Sequence, residues 1–297
     1  QSRGGIFGDK VYLCINGKRH YVQSVERLQS YGVRWPEDLR QVSDEILMAF
    51  SIGGWLPSYF PSHFMPTRIK SSLIMREYLA SKLNGIGLEV GAGASPFPVP
   101  IGCHVIFGDR IPHEQLIAEA YPGQNRYELV RPDLLTNFAT FDGIAAESLD
   151  FIVDCHVVEH VLEPIGTLSN AHQRLRHGGI LLLVVPDRNR TFDRARPLTT
   201  LEHLKLDHKC PDAIRDYEHY DEFYKLAFQT PPDLLRSKVA EEFDRRGDLH
   251  VHVWNYETFG AMIDYVNKNL ANFSSVISYP ALGDVNNDIE FYFVLTK

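Results

Sequence analysis

LEVGAGASPFP, residues 88–98, runs from an apolar stretch into glycines and prolines. Leu88, Glu89 and Val90 close a short apolar run, and Gly91 and Gly93 follow at once. Glycines at such a point let a chain leave a strand through a tight turn and bring its backbone close to a ligand. Two familiar phosphate-binding loops share this look, and neither fits. A dinucleotide fingerprint asks for Gly or Ala where Pro96 stands, and a P-loop asks for Gly-Lys-Ser/Thr. Pro96, Pro98 and Pro100 also keep a regular helix from starting directly after the turn.

Working outward, short apolar runs alternate with helical patterns. GLEV (87–90), HVIF (104–107), YELV (127–130), DFIV (150–153) and ILLLVV (180–185) read as five buried strands. Residues 67–83 read as a helix stopped by Asn84-Gly85. Residues 164–179 read as a second helix, with Ile165, Leu168 and Leu175 on one face. Asn255 is placed to cap a third, in which Phe259, Met262, Ile263, Val266 and Leu270 recur at helical spacing. SSVISYP (274–280) and IEFYFVLTK (289–297) read as closing strands able to pair as an antiparallel hairpin. The alternation predicts an α/β fold on a doubly wound, Rossmann-like sheet. Residues from about 188 to 250 interrupt it with charged helical sequence, expected to form a helical lid. Residues 1–60 are expected to form a small accessory module, with 53–66 as its linker. Its signal is Asn16-Gly17 between two strand-like runs, which suits a type I′ hairpin. Ser43 is placed to cap a short helix nearby.

The composition is that of a globular protein: 297 residues, 44% apolar and 23% charged. No apolar run is long enough to span a bilayer, and no secretory leader pattern is visible. A formal charge of −8 disfavours non-specific nucleic-acid binding. Cys14, Cys103, Cys155 and Cys210 are scattered, without a CxxC pair. A cytoplasmic protein without membrane or nucleic-acid partners is expected.

DCHVVEHV (154–161) contains His156, Glu159 and His160 in the HxxEH spacing of a zinc peptidase. That chemistry needs both histidines on an established helix. His156 instead follows an apolar strand directly, and Pro164 leaves room for only about two turns. A metal-dependent hydrolase is therefore the weaker alternative.

The turn and its neighbours resemble the class I S-adenosylmethionine-dependent methyltransferases. LEVGAGAS resembles the first motif of that family, and through it Glu89, Gly91, Ala92 and Gly93 are implied in cofactor binding. Asp109, with Arg110 beside it, matches the acidic position that holds the ribose hydroxyls. RPDLL (131–135) matches the segment whose Asp133 and Leu134 flank the adenine. LDFIVDCHVVEHV matches the fourth-strand motif, implying Cys155 and His156 at the methionine moiety. RLRHGGILLLVVPD (174–187) matches the stretch into strand five. The resemblance covers roughly residues 67–187, and it departs from the commonest pattern at Ser95, where a third glycine is usual. It implies a methyltransferase domain over 67–297 with an antiparallel last strand, S-adenosyl-L-methionine as methyl donor and a small-molecule acceptor.

In ubiquinone-biosynthesis O-methyltransferases a metal-binding Glu-x-x-Glu-His stands at this place. Here His156 replaces the first carboxylate, a set that suits a softer metal than magnesium, and no metal is assigned. Residues 186–208 and the later HVHVW are similar to methyltransferases of glycan and polysaccharide pathways. The amino-terminal stretch is similar to a small module found beside glycosyltransferases. Both likenesses point to O-methylation of a sugar, glycan precursor or nucleotide-linked acceptor.

A hydroxyl acceptor needs a base, and His160, His203 and His252 are the candidates. His203 and Asp207 would share a helix face, and His250 and His252 a strand face with Trp254. Arg188, Arg190 and Arg194 follow the fifth strand, where an open sheet binds ligands, and suit an anionic acceptor. A protein of the same fold that binds a partner without catalysis remains the competing reading from another class.

Overall fold

The computed structural model describes residues 10–15, 17–55, 69, 71–124, 126–283 and 288–297. It opens with a hairpin, β1 (Tyr12–Ile15) and β2 (Lys18–Tyr21), whose turn uses Gly17 at φ 74°. Helix α1 (Val25–Gln29) is capped by the Ser24 side chain, which accepts from the Arg27 N–H. Helix α2 (Asp44–Met48) starts after Ser43, whose side chain makes no capping bond. Strand β3 (Ser51–Trp55) then pairs parallel to β2. The expected linker falls mostly on residues 56–66, outside the described residues.

The remaining elements alternate. They are α3 (Ser72–Ala80), β4 (Ile86–Val90), β5 (His104–Asp109), α4 (His113–Gln115), β6 (Leu134–Leu135) and β7 (Leu149–Cys155). Then come α5 (Pro164–Arg174), β8 (Leu175–Pro186), α6 (Leu201–Lys209), α7 (Ala213–Glu222), α8 (Pro232–Asp244), α9 (Tyr256–Asn269), β9 (Ser275–Tyr279) and β10 (Glu290–Thr296). The sheet order is β6-β5-β4-β7-β8-β10-β9, with β10 antiparallel to both β8 and β9. The order reverses after β4, the topological switch point at which open α/β sheets bind ligands beyond the strands' carboxyl ends. The doubly wound α/β sheet and its antiparallel last strand are as expected.

The chain forms two compact units, residues 1–137 with 149–153 and residues 138–148 with 154–297. In the first, Gly87 leaves room for the Phe151 ring, which a side chain at 87 would strike. Also in this unit, Arg27 of α1 pairs at 2.7 Å with Glu77 of α3, whose side chain is fully buried. An uncompensated carboxylate at that depth would be costly, so the pair ties the amino-terminal helix to α3. In the second unit, Leu181 to Val185 of β8 are fully buried against β10. Burying each such side chain is worth about 1.5–3 kcal/mol. Helix α9 begins with a capping box between Asn255 and Thr258, and it buries Phe259, Met262, Ile263 and Val266.

Three expectations are corrected. YELV is not the third strand: residues 126–128 form a 3-10 turn, and the strand is Leu134–Leu135. Leu129 and Val130 are apolar because they plug the core from an irregular segment, not because they pair. The helix at 164–179 stops at Arg174, and Leu175 begins β8. The HVHVW segment is not a strand, since Trp254 makes only an isolated bridge to Asp187. The insertion at 188–250 is helical, carrying α6, α7 and α8.

Candidate active site

In the first unit the glycine turn is built tightly. Gly91 and Gly93 have φ of 70° and 52°, conformations that side chains disfavour. A Cβ at Gly93 would lie 2.1 Å from the Tyr121 hydroxyl oxygen. The Gly91 N–H donates to the Gly108 carbonyl at 2.9 Å, and the Gly93 carbonyl accepts from Val130 N–H at 2.8 Å. No helix forms over 91–103, as the three prolines require. A side chain fixes the loop instead: the Phe97 N–H donates to Glu89 Oε1 at 2.8 Å.

Glu89 is 1% exposed, and burial pushes its carboxyl up to about 7 against the opposing effect of the Phe97 bond. Its other oxygen, Oε2, is buried with no hydrogen-bond partner. Asp109 ends β5, largely buried, with Oδ1 accepting from Ile111 N–H at 3.2 Å, and Arg110 beside it is exposed. Asp133 is committed on one side: its Oδ2 accepts from Phe107 N–H at 2.9 Å while its own N–H donates back to Phe107. Leu134 follows as the first residue of β6. A ligand with cationic and hydroxyl groups fits this set. Glu89 Oε2 is an acceptor awaiting a donor, Asp109 is a carboxylate at a strand end, and the glycines keep Ala92 as the loop's one side chain between them.

In the second unit, Cys155 ends β7 and His156 follows at φ 58°, a left-handed conformation uncommon outside glycine. The His156 N–H donates to Val184 of β8 at 3.0 Å, and its Nε2 lies 2.9 Å from Glu290 Oε2. The Tyr292 hydroxyl donates to the other oxygen of Glu290. The His156 side chain is thus engaged by β10 and leaves its backbone to the strand end. Residues 158–160 make a single 3-10 turn. The helix that an HxxEH peptidase site requires is not there.

Glu159, 1% exposed, is ringed by imidazoles. His156 Nδ1 is 3.8 Å away, and His160 Nε2 and His250 Nε2 are each 3.9 Å away. Its negative charge, after burial itself, helps push the Asp154 carboxyl well up. His160 Nδ1 lies 3.0 Å from Asp248 Oδ1, and His250 Nδ1 2.6 Å from Asp193 Oδ2. Burial would raise Asp193, but its bonds with His250 and Arg196 hold the carboxyl below its ordinary value. Glu159, His160 and His250 offer three ligand atoms close enough to share a cation. The other two expected bases go elsewhere: His203 on α6 and His252 meet His219 of α7.

The arginines are mostly spent on the fold. Arg188 donates to the Arg196 carbonyl, and Arg190 to the Gly283 and Asp288 carbonyls. Among the described residues, the exposed Arg194 guanidinium makes no hydrogen bond or ion pair. Asp187 caps the turn at 188–190. Asp193, His219, Asp248 and Glu290 were not singled out as site residues from the sequence. They are separated from their partners by turns and helices, and Glu290 stands at the start of β10, far in sequence from His156.

A family model described as a methyltransferase domain matches residues 62–224, more than half of the chain. The chain belongs to the methyltransferase domain family. It is an S-adenosylmethionine-dependent methyltransferase. The methyltransferase is 24% identical over 193 residues to a ubiquinone biosynthesis O-methyltransferase of Cereibacter sphaeroides, covering 62% of this chain and 72% of that one. It is 23% identical over 192 residues to the corresponding protein of Ruegeria pomeroyi, with the same coverage. Among solved structures, it is similar to a possible histamine N-methyltransferase of Thermotoga maritima. There the identity is 17% and the TM-score 0.41, over 75% of this chain and 88% of that one. It is also similar to the CurJ carbon methyltransferase at 17% identity and TM-score 0.42, covering 76% of this chain and about half, 54%, of that one. Among the described residues, no helix is long and apolar enough to cross a membrane.

Proposed function

We propose that the chain methylates a hydroxyl of a small, sugar-like acceptor, with His160 as the proton acceptor. The observation that carries this is the His160–Asp248 pair at 3.0 Å, on a turn that begins three residues after β7 ends. Nδ1 makes no hydrogen bond, so Asp248 acts through its charge: it favours the imidazolium that forms when the ring takes a proton. The His160 side chain is one-quarter exposed. Glu159, 3.9 Å from Nε2, favours the imidazolium once formed. When bound, S-adenosylmethionine supplies an electrophilic methyl group on a positively charged sulfur. Glu89 and Asp109 would hold it through the ammonium and ribose ends, and Gly91 and Gly93 would let the backbone approach. His252 is less suited as the base. It is fully buried, burial beside other imidazoles drives its pKa well down, and its Nε2 bonds the Leu162 carbonyl.

The curated relatives named as O-methyltransferases support a hydroxyl acceptor. The likeness of 186–208 to glycan-pathway enzymes supports a sugar or nucleotide-linked precursor, and Arg194 supports an anionic group on it. The formal charge of −8 and the free cysteines support a small acceptor in a reducing, cytoplasmic setting rather than a nucleic acid. The test is methyl transfer to a panel of hydroxylated sugars and nucleotide sugars, with products read by mass spectrometry. His160→Ala should lower kcat by about 10²–10⁴-fold, the usual worth of a general base, with KM little changed. An unchanged kcat removes His160 from the role. Methylation at nitrogen or carbon across the panel removes the hydroxyl reading.

A further inference from the structure

The second unit holds a cluster that the proposed role of His160 leaves unassigned. His203 comes from α6, whose start is capped by Thr200. His219 comes from α7, and His252 from the extended segment before α9. His203 Nε2 and His219 Nε2 lie 3.2 Å apart, and one ring nitrogen from each of the three residues falls within 4.8 Å of the others. The rings meet edge to face, with His219 and His252 centroids 4.8 Å apart at 81°. His252 is packed on its other side by the buried Trp254.

Hydrogen bonding alone leaves this arrangement incomplete. A neutral imidazole has one donor and one acceptor. His252 gives its Nε2–H to the Leu162 carbonyl at 3.1 Å, which fixes the lone pair on Nδ1. That Nδ1 is buried and has no hydrogen-bond partner. This is the outer-shell contact expected of a metal-binding histidine, where a carbonyl takes one ring N–H and leaves the other nitrogen to the ion. Asp207, one helical turn beyond His203, places Oδ2 3.0 Å from His203 Nε2. Its Oδ1 is held at 2.7 Å by Arg215 Nε. A tetrahedral ion with metal–nitrogen bonds of about 2.0–2.1 Å sets its ligand atoms about 3.3 Å apart. The His203–His219 separation already matches that. A cavity of about 230 Å3 lined by Thr200, His203, Arg215, His219 and Glu222 gives an entry path.

We propose that His203, His219 and His252 bind one divalent transition-metal ion of the zinc class, with Asp207 as the neighbouring carboxylate. Imidazole donors select zinc, cobalt or nickel over magnesium and calcium, which take oxygen ligands. The ion joins α6, α7 and the segment before α9, adding to the Arg215–Asp207 pair between the two helices. The site is separate from the Glu159, His160 and His250 group and does not depend on the acceptor or on His160 acting as base.

The test uses the full chain, stripped with a chelator and then titrated with zinc by calorimetry and with cobalt by visible absorption. One equivalent should bind, and cobalt should give the strong ligand-field band of a four-coordinate site. His203→Ala, on a half-exposed helix position where alanine favours the helix, should keep its circular dichroism. It should weaken binding by more than the roughly 10–100-fold expected of an outer-shell change. His219→Ala should do the same, while His250→Ala and Glu159→Gln should retain the band. No binding by the folded wild-type chain overturns the proposal. So does a band that survives in His203→Ala, or one lost in His250→Ala but kept in His203→Ala.

Discussion

The glycine turn at 91–100 and the insertion at 188–252 build polar sites by opposite means. The turn works through its backbone. Two glycines at positive φ and three prolines fix its path, and a single buried side chain, Glu89, holds it through Phe97. The insertion works through side chains. Its carboxylates, imidazoles and guanidinium groups bond each other across long stretches of chain, as with Asp193, Arg196, Glu222 and His250. A backbone site is set by local conformation and tolerates few residue types. A side-chain site is set by packing and tolerates many, provided each buried group finds a partner.

The largest effect should come from breaking the insertion. Arg196 is fully buried and holds Asp193, Glu222 and the carbonyls of His250 and Val251. Arg196→Ala leaves those groups unpaired and should cost about 3–5 kcal/mol of unfolding free energy in denaturant titration. A loss under about 1 kcal/mol would mean that water replaces the guanidinium and that the network is not what orders the insertion.

The next effect sharpens the contrast through pH. The Glu89 carboxyl titrates near 7 in the folded chain against an ordinary value of 4.5. Between those values the folded state keeps a proton that the unfolded state has shed. Its contribution to stability therefore falls as pH rises from about 4.5 to 7, and is level above that. Glu89→Gln keeps an acceptor for Phe97 N–H and cannot ionise. Its stability relative to wild type should grow across that window by up to ~3 kcal/mol without ligand. A constant difference from pH 4 to 8 would contradict the buried, partnerless oxygen.

The smallest effect tests the backbone. Gly93→Ala places a methyl group at φ 52° and 2.1 Å from the Tyr121 hydroxyl oxygen. A cost of about 1–2 kcal/mol is expected from the left-handed conformation, visible as a lower Tm. No change in Tm would show that the turn relaxes freely and that the glycine is not required there.

The same contrast explains what was legible in the sequence. Six of the seven sheet strands could be read: the buried ones as near-continuous apolar runs, as ILLLVV is, and the exposed, antiparallel β9 by its β-branched residues. The third was misplaced because Leu129 and Val130 have a strand's composition but serve as core plugs, while the true strand is two residues long. The glycine turn was legible because its conformation demands glycine. His203, His250 and His252 were visible as histidines, but not the partners each would choose. A strand face was expected to hold His250 and His252 together, whereas the irregular segment sends one to Asp193 and the other to His219. Such choices depend on helices packed over tens of residues, which no local spacing encodes.

The central claim is that this chain holds S-adenosylmethionine through the turn at Glu89–Gly93 and through Asp109. The decisive experiment is calorimetric titration of S-adenosylhomocysteine into wild-type and Asp109→Ala protein. The account predicts one-to-one binding by the wild type and at least tenfold weaker binding by the variant, about 1.4 kcal/mol or more, for loss of a charged hydrogen-bond partner. No binding by folded wild-type protein, or equal affinity in the two, would contradict it.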